Sequence, residues 1–168
     1  SPGADKDKNL SRPAITGRGR RAVPYGDKVF PSLGEQFCLE PLLNSPGNFT
    51  SSKLAWIKEN EPEIFEKIDK IMLPGDYIAM RLTGEICTTV SGLSEGIFWD
   101  FKTECVSKEL LPHYGFDESI LATIVPTFGV QGAVSSHAPL LLGLTPGSPE
   151  TYRAVHQPTY ALLPHLSN

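Results

Sequence analysis

Asn48-Phe-Thr-Ser-Ser-Lys-Leu-Ala-Trp-Ile-Lys-Glu-Asn60 runs on through Glu61-Pro-Glu-Ile-Phe-Glu-Lys-Ile68 to Leu73-Pro-Gly-Asp-Tyr-Ile-Ala-Met-Arg-Leu-Thr-Gly84. Turn residues and apolar spacing in this stretch predict three successive helices. Thr50 or Ser51 is a good N-cap for the first, which carries Leu54, Trp56 and Ile57. The second starts at Glu61. Pro62 suits a first helical turn, and Glu61 and Glu63 sit at the positive end of the dipole. Its apolar face holds Ile64, Phe65, Ile68 and Ile71, and residues 71–73 read as the start of a short buried strand. Pro74-Gly-Asp76 opens the third helix, over 77–82, which Gly84 ends. Asp76 reads as an N-cap rather than a catalyst.

Toward the N-terminus, residues 1–11 are polar and charged, residues 12–16 are expected to form a short strand, and 17–21 a Gly- and Arg-rich loop. Val23, Val29, Phe30, Leu33 and Phe37 recur at helical spacing, with Pro31 expected near an end or a break. Residues 44–48 are a loop by their turn residues. Toward the C-terminus, residues 86–100 read as extended structure ending in Ile97-Phe-Trp-Asp100. Helices are expected near 106–114, 117–123 and 136–143, a strand at 151–155, and a further helix from Pro158. Strands and helices intermingle, which predicts an α/β fold, and no internal repeat is evident.

Composition narrows the function classes. With 168 residues, 40% of them apolar and 20% charged, the chain can build one domain with a real core. A net charge of -4 lacks the basic footprint of a nucleic-acid binder, so Arg18, Arg20 and Arg21 read as a solvated loop. Cys38, Cys87 and Cys105 are odd in number and without metal-ligand spacing, as reduced thiols of a cytoplasmic protein would be. No apolar run reaches the roughly 18 residues of a membrane helix, and the opening residues do not read as a signal peptide. Neither a nucleic acid nor a membrane is an expected partner. Ser1 in place of Met predicts a fragment, a processed product or a trimmed piece.

Thr50, Lys53, Leu54, Trp56, Ile57, Glu59 and Asn60 fit a local signature that extends through the Pro74-Gly-Asp-Tyr77 turn, Ser91-Gly-Leu-Ser-Glu-Gly96 and Phe98-Trp-Asp100. Thr151-Tyr-Arg-Ala-Val-His-Gln-Pro-Thr-Tyr-Ala161 follows near the end. Over roughly residues 5–165 the chain resembles the substrate-side, N-terminal domain of FGGY carbohydrate kinases, and among them xylulokinases most. The resemblance implies an incomplete actin-like, ribonuclease-H-like fold, with residues 1–168 forming a single partial domain. It implies a sugar in a cleft between two domains, with ATP and magnesium mostly on the second, so that neither is expected to bind this chain alone. Phosphoryl transfer to a ketopentose, D-xylulose going to xylulose 5-phosphate, would rest on positioning and charge neutralisation. A carboxylate of the first domain would accept the sugar hydroxyl proton.

The chain departs from that pattern where the chemistry sits. His156 stands at the place of the family's aspartate base, between Val155 and Gln157, where the family has Gly-Asp-Gln. Neutral imidazole can accept a proton near pH 7, but it is bulkier and uncharged. Its two readings are a substitute base and a lost catalytic site. The family's Trp-x-Asp-x-Arg is Gly17, Gly19 and Arg21 here, so only the arginine survives. By the resemblance, the phosphate-binding hairpin, the Gln-x-His-Gly segment and the ATP-binding domain are expected to be missing from residues 1–168.

By resemblance, the substrate-binding candidates are Asn48, Phe49, Arg21 and Gln157. Asn48 either touches the sugar or closes the Gly47 turn, and Arg21 either points to the cleft or lies on the surface. Lys53 either assists phosphate or makes a salt bridge on its helix. Trp56 reads as core, and His113, His137 and His165 as surface or capping residues without zinc spacing. The expected chain is thus a kinase piece inactive alone, with the missing parts of the kinase as its protein partner. The alternative is a non-catalytic sugar-binding or degenerate remnant. Incomplete sheets predict exposed apolar surface.

Overall fold

The computed structural model describes residues 3–15, 19–136, 146, 147 and 149–151. Strand β1 (Gly3–Ala4) is followed by helices α1 (Val23–Asp27), α2 (Val29–Leu33), α3 (Glu35–Leu39), α4 (Thr50–Asn60) and α5 (Pro62–Phe65). Next come β2 (Lys70–Ile71), α6 (Pro74–Thr83), β3 (Cys87–Thr89), α7 (Val90–Glu95), β4 (Trp99–Asp100) and β5 (Cys105–Val106). Helix α8 (Leu110–Tyr114), a 3-10 turn (Glu118–Ile120), β6 (Thr123–Val125), β7 (Val130–Ala133) and β8 (Pro149–Thr151) complete the order.

The chain forms two compact units. In the first, built from residues up to 73 and 93–122, β1 runs antiparallel to β2 with Gly3 opposite Ile71, and Ile71 bridges in parallel to Leu121. Leu54 and Ile57 of α4 pack there with Ile71, Phe98, Val106, Leu111 and Leu121. Val29, Cys38, Leu42, Ile97 and Leu110 form a second cluster. In the other unit, residues 74–92 and those from 123 on, β3 runs parallel to β6 and β7 antiparallel to β8. Parallel pairing beside helices makes the fold α/β, as the sequence predicts.

Several elements differ from expectation for identifiable reasons. Where apolar spacing from Val23 to Phe37 predicts helix, the structure has three short helices, and Gly34 at φ 92 separates α2 from α3. Pro31 is tolerated inside α2 because it lies in the first turn, where an N–H has no intrahelical acceptor. The cap of α4 is Phe49, not Thr50 or Ser51, and no side chain caps it. Instead the Ser51 N–H donates to the carbonyl of Gly96 at 3.1 Å, and the Ser52 hydroxyl donates to that of Gly47 at 2.7 Å. Helix α5 begins at Pro62, one residue after the expected Glu61, which is its cap, and makes a single turn. Strand β2 lies slightly earlier than the expected 71–73, and residues 12–15 form no strand.

Within 86–100 an unexpected helix, α7, interrupts the extended segment. The Thr89 hydroxyl accepts the Gly92 N–H at 3.1 Å and so caps it. The helix expected near 106–114 is only α8, preceded by strand β5, and 117–123 is a 3-10 turn leading into β6. Helix α6 begins at Pro74, earlier than expected, and ends where Gly84 takes φ 83. Strand β7 was not anticipated, and β8 begins at Pro149. Most of the helix expected at 136–143, the remainder of the 151–155 strand and the helix near Pro158 lie outside the described residues.

Candidate functional site

The start of α4 and the segment before α1 meet in the first unit. The Asn48 side-chain amide donates to the Gly19 carbonyl at 2.7 Å. Two residues further on, the Arg21 guanidinium lies 5.0 Å from the centroid of the Trp56 ring, in cation–π range. Arg12 reaches the same indole at 5.8 Å and pairs with Glu61. The Asn60 amide donates to the Tyr25 hydroxyl at 2.8 Å. Burial, and then a hydrogen bond with Glu59, hold the Tyr25 phenol above its ordinary range. Residues 19–25 are thereby tied along α4 by polar and cation–π contacts at three points.

Three of the five residues singled out in the sequence are therefore placed. Asn48 and Arg21 hold one segment together, while the Phe49 ring packs on the Val29–Cys38–Leu42 cluster. Trp56 is half-buried, packed against the main core and flanked by two arginines. His156 and Gln157 lie outside the described residues. Tyr25 was missed; its only signal is an aromatic in the first helix after the Arg-rich loop.

The acids have structural work. Asp76 is not an N-cap: it lies inside the first turn of α6, only 1% exposed, and accepts the Thr88 hydroxyl at 3.0 Å, joining α6 to β3. Asp100 accepts the N–H groups of Lys102 and Thr103 at 2.7 and 3.1 Å and so shapes the turn between β4 and β5. His113 meets the Tyr114 ring edge-on at 5.1 Å. All three cysteines are free thiols. Among the described residues there is no group of three or more His, Cys, Asp or Glu side chains that could hold a metal ion. None of their helices is long and apolar enough to cross a membrane.

This α/β arrangement is that of actin-like sugar kinases. The crystal structure of xylulose kinase from Rhodospirillum rubrum matches it with a TM-score of 0.84 and 28% identity, over 92% of this chain and 32% of that one. Plasmodium falciparum glycerol kinase shares the fold at a TM-score of 0.78 and 20% identity, over 90% of this chain and 31% of that one. Residues 4–152 match the N-terminal domain of the FGGY family of carbohydrate kinases, and the chain belongs to that family. A xylulose kinase of Streptomyces rubiginosus is 32% identical over 160 residues, 82% of this chain and 33% of that protein. The chain thus spans about a third of the length of these relatives.

Proposed function

We propose that the chain is the sugar-side domain of an ATP-dependent, cytoplasmic kinase that phosphorylates a ketopentose, D-xylulose before others. The observation that carries this reading is the similarity to proteins named xylulose kinase at 32% identity over most of the chain. The Asn48–Gly19 bond and the Arg21–Trp56 contact support it by giving the candidate sugar residues a fixed frame. In this reading Asn48, Phe49, Arg21 and Gln157 contact the sugar. His156 stands where a base must take the hydroxyl proton as the phosphoryl group arrives. ATP and magnesium belong to a second, ATP-binding domain, and this chain alone does not turn over.

Two measurements test it. Calorimetric titration with D-xylulose, D-ribulose, glycerol and gluconate is expected to give heat with a ketopentose that Asn48→Ala weakens; silence with all four removes the sugar-binding reading. Sugar-dependent ADP release by the chain alone is expected to equal that of a His156→Ala control. Release well above the control overturns the expectation of inactivity. A second reading, a sugar-binding remnant without catalysis, is favoured by His156 itself. In a chain joined to the ATP-binding domain of a relative, His156→Asp raising turnover by about tenfold or more supports a weakened catalytic site. No gain favours the remnant.

A further inference from the structure

We infer that Glu61 and Arg12 are positioning residues for Arg21, acting through the Trp56 ring. The inference rests on the sugar reading in one respect: Arg21 is a candidate sugar residue. Two guanidiniums share one indole, Arg21 at 5.0 Å from the ring centroid and Arg12 at 5.8 Å. They are held differently. The Arg12 side chain is only 15% exposed; its Nε donates to the Pro13 carbonyl at 3.1 Å, and its Nη1 pairs with the Glu61 carboxylate. Arg21 is exposed, and among the described residues the Trp56 ring is the one partner of its guanidinium.

Like charges at one ring repel. Both guanidiniums lie so near the same centroid that they stand within about one Debye length of each other at 0.1 M salt. An indole holds an exposed cation only weakly, so Arg21 is the one more easily displaced. The Glu61 carboxylate neutralises Arg12 and lets Arg21 keep the ring. Glu61 stands at the cap position of α5, but its side chain caps nothing there, so the carboxylate is not committed to the helix. Removing it leaves Arg12 partly buried without a counter-charge, and the uncompensated field falls on Arg21. Neither Arg12 nor Glu61 has to touch the sugar for this to weaken its binding.

The test is a mutant cycle on the full chain at low salt, read twice. Without sugar, the Arg21 Hε resonance, assigned by its loss in Arg21→Lys, is expected to carry a ring-current shift from Trp56. That shift is expected to shrink in Glu61→Gln and to return in Glu61→Gln/Arg12→Met. In calorimetric titration with D-xylulose, Glu61→Gln is expected to weaken binding roughly threefold and the double variant to restore it. A purely structural role for Glu61 is not rescued by removing Arg12. An unchanged shift or an unchanged affinity in Glu61→Gln, or a double variant no better than the single one, overturns the inference. If the wild-type chain binds no ketopentose, the sugar reading falls, and the resonance alone decides the positioning.

Discussion

Gly26 is set by its neighbour across the fold. A Cβ there would overlap the backbone of Gly47, which cannot yield as a flexible side chain would. Gly26→Ala is expected to cost about 1–3 kcal/mol in urea unfolding. Thr88→Val removes the hydroxyl that meets the buried Asp76 carboxylate and is expected to cost about 1.5–3 kcal/mol, whereas Thr88→Ser keeps the bond. Tyr114 contributes to the loss of stability at alkaline pH. Burial, with a smaller contribution from Cys38, raises its phenol above the ordinary range. The unfolded chain ionises first, near pH 10. Stability from this group is therefore complete below pH ~10 and is lost as pH rises toward the folded value. Tyr114→Phe is expected to flatten that part of a pH–stability curve, although it also gives up the bond to the Tyr25 carbonyl at 3.1 Å. Asn48, by contrast, was legible as a residue of interest but not as the partner of Gly19, which lies 29 positions away.

At the scale of elements, capping separates what was legible from what was not. Gly84 announces the end of α6 because glycine takes positive φ without a Cβ clash. Helix α7 was hidden because Thr88, Thr89 and Val90 read as strand, and a short helix has too few apolar repeats to override them. Its cap is the buried Thr89 hydroxyl, so Thr89→Val should cost about 1 kcal/mol in urea unfolding while Thr89→Ser costs less. The end of α8 depends on a residue far along the chain. Lys58 donates to the carbonyls of Tyr114, at 3.0 Å, and Gly115, and lies over the Phe65 and Phe116 rings at 5.8 and 5.7 Å. Lys58→Met keeps most of the aliphatic stem but loses these contacts. A loss of about 1 kcal/mol is expected by the same measurement.

For the whole molecule, the expectation of exposed apolar surface has a counterpart in the second unit. Phe128 is 79% exposed on the turn between β6 and β7, with Ile78, Ile124 and Val130 also exposed. Phe128→Ser is expected to reduce self-association in light scattering while leaving stability within about 0.5 kcal/mol, because the ring has little burial to lose. An unchanged scattering signal would place any self-association elsewhere.

The amino-acid order alone determined the family, the α/β class and the helices of the 48–84 stretch, since apolar period, prolines and glycines act locally and survive as a pattern. Only the tertiary structure decided what the polar residues do. Asn48 goes to Gly19, Arg21 to Trp56, Asp76 to Thr88 and Lys58 to the end of α8. A buried polar group must find a partner wherever the fold brings one within hydrogen-bond reach, and that distance is not written in the spacing of residues along the chain.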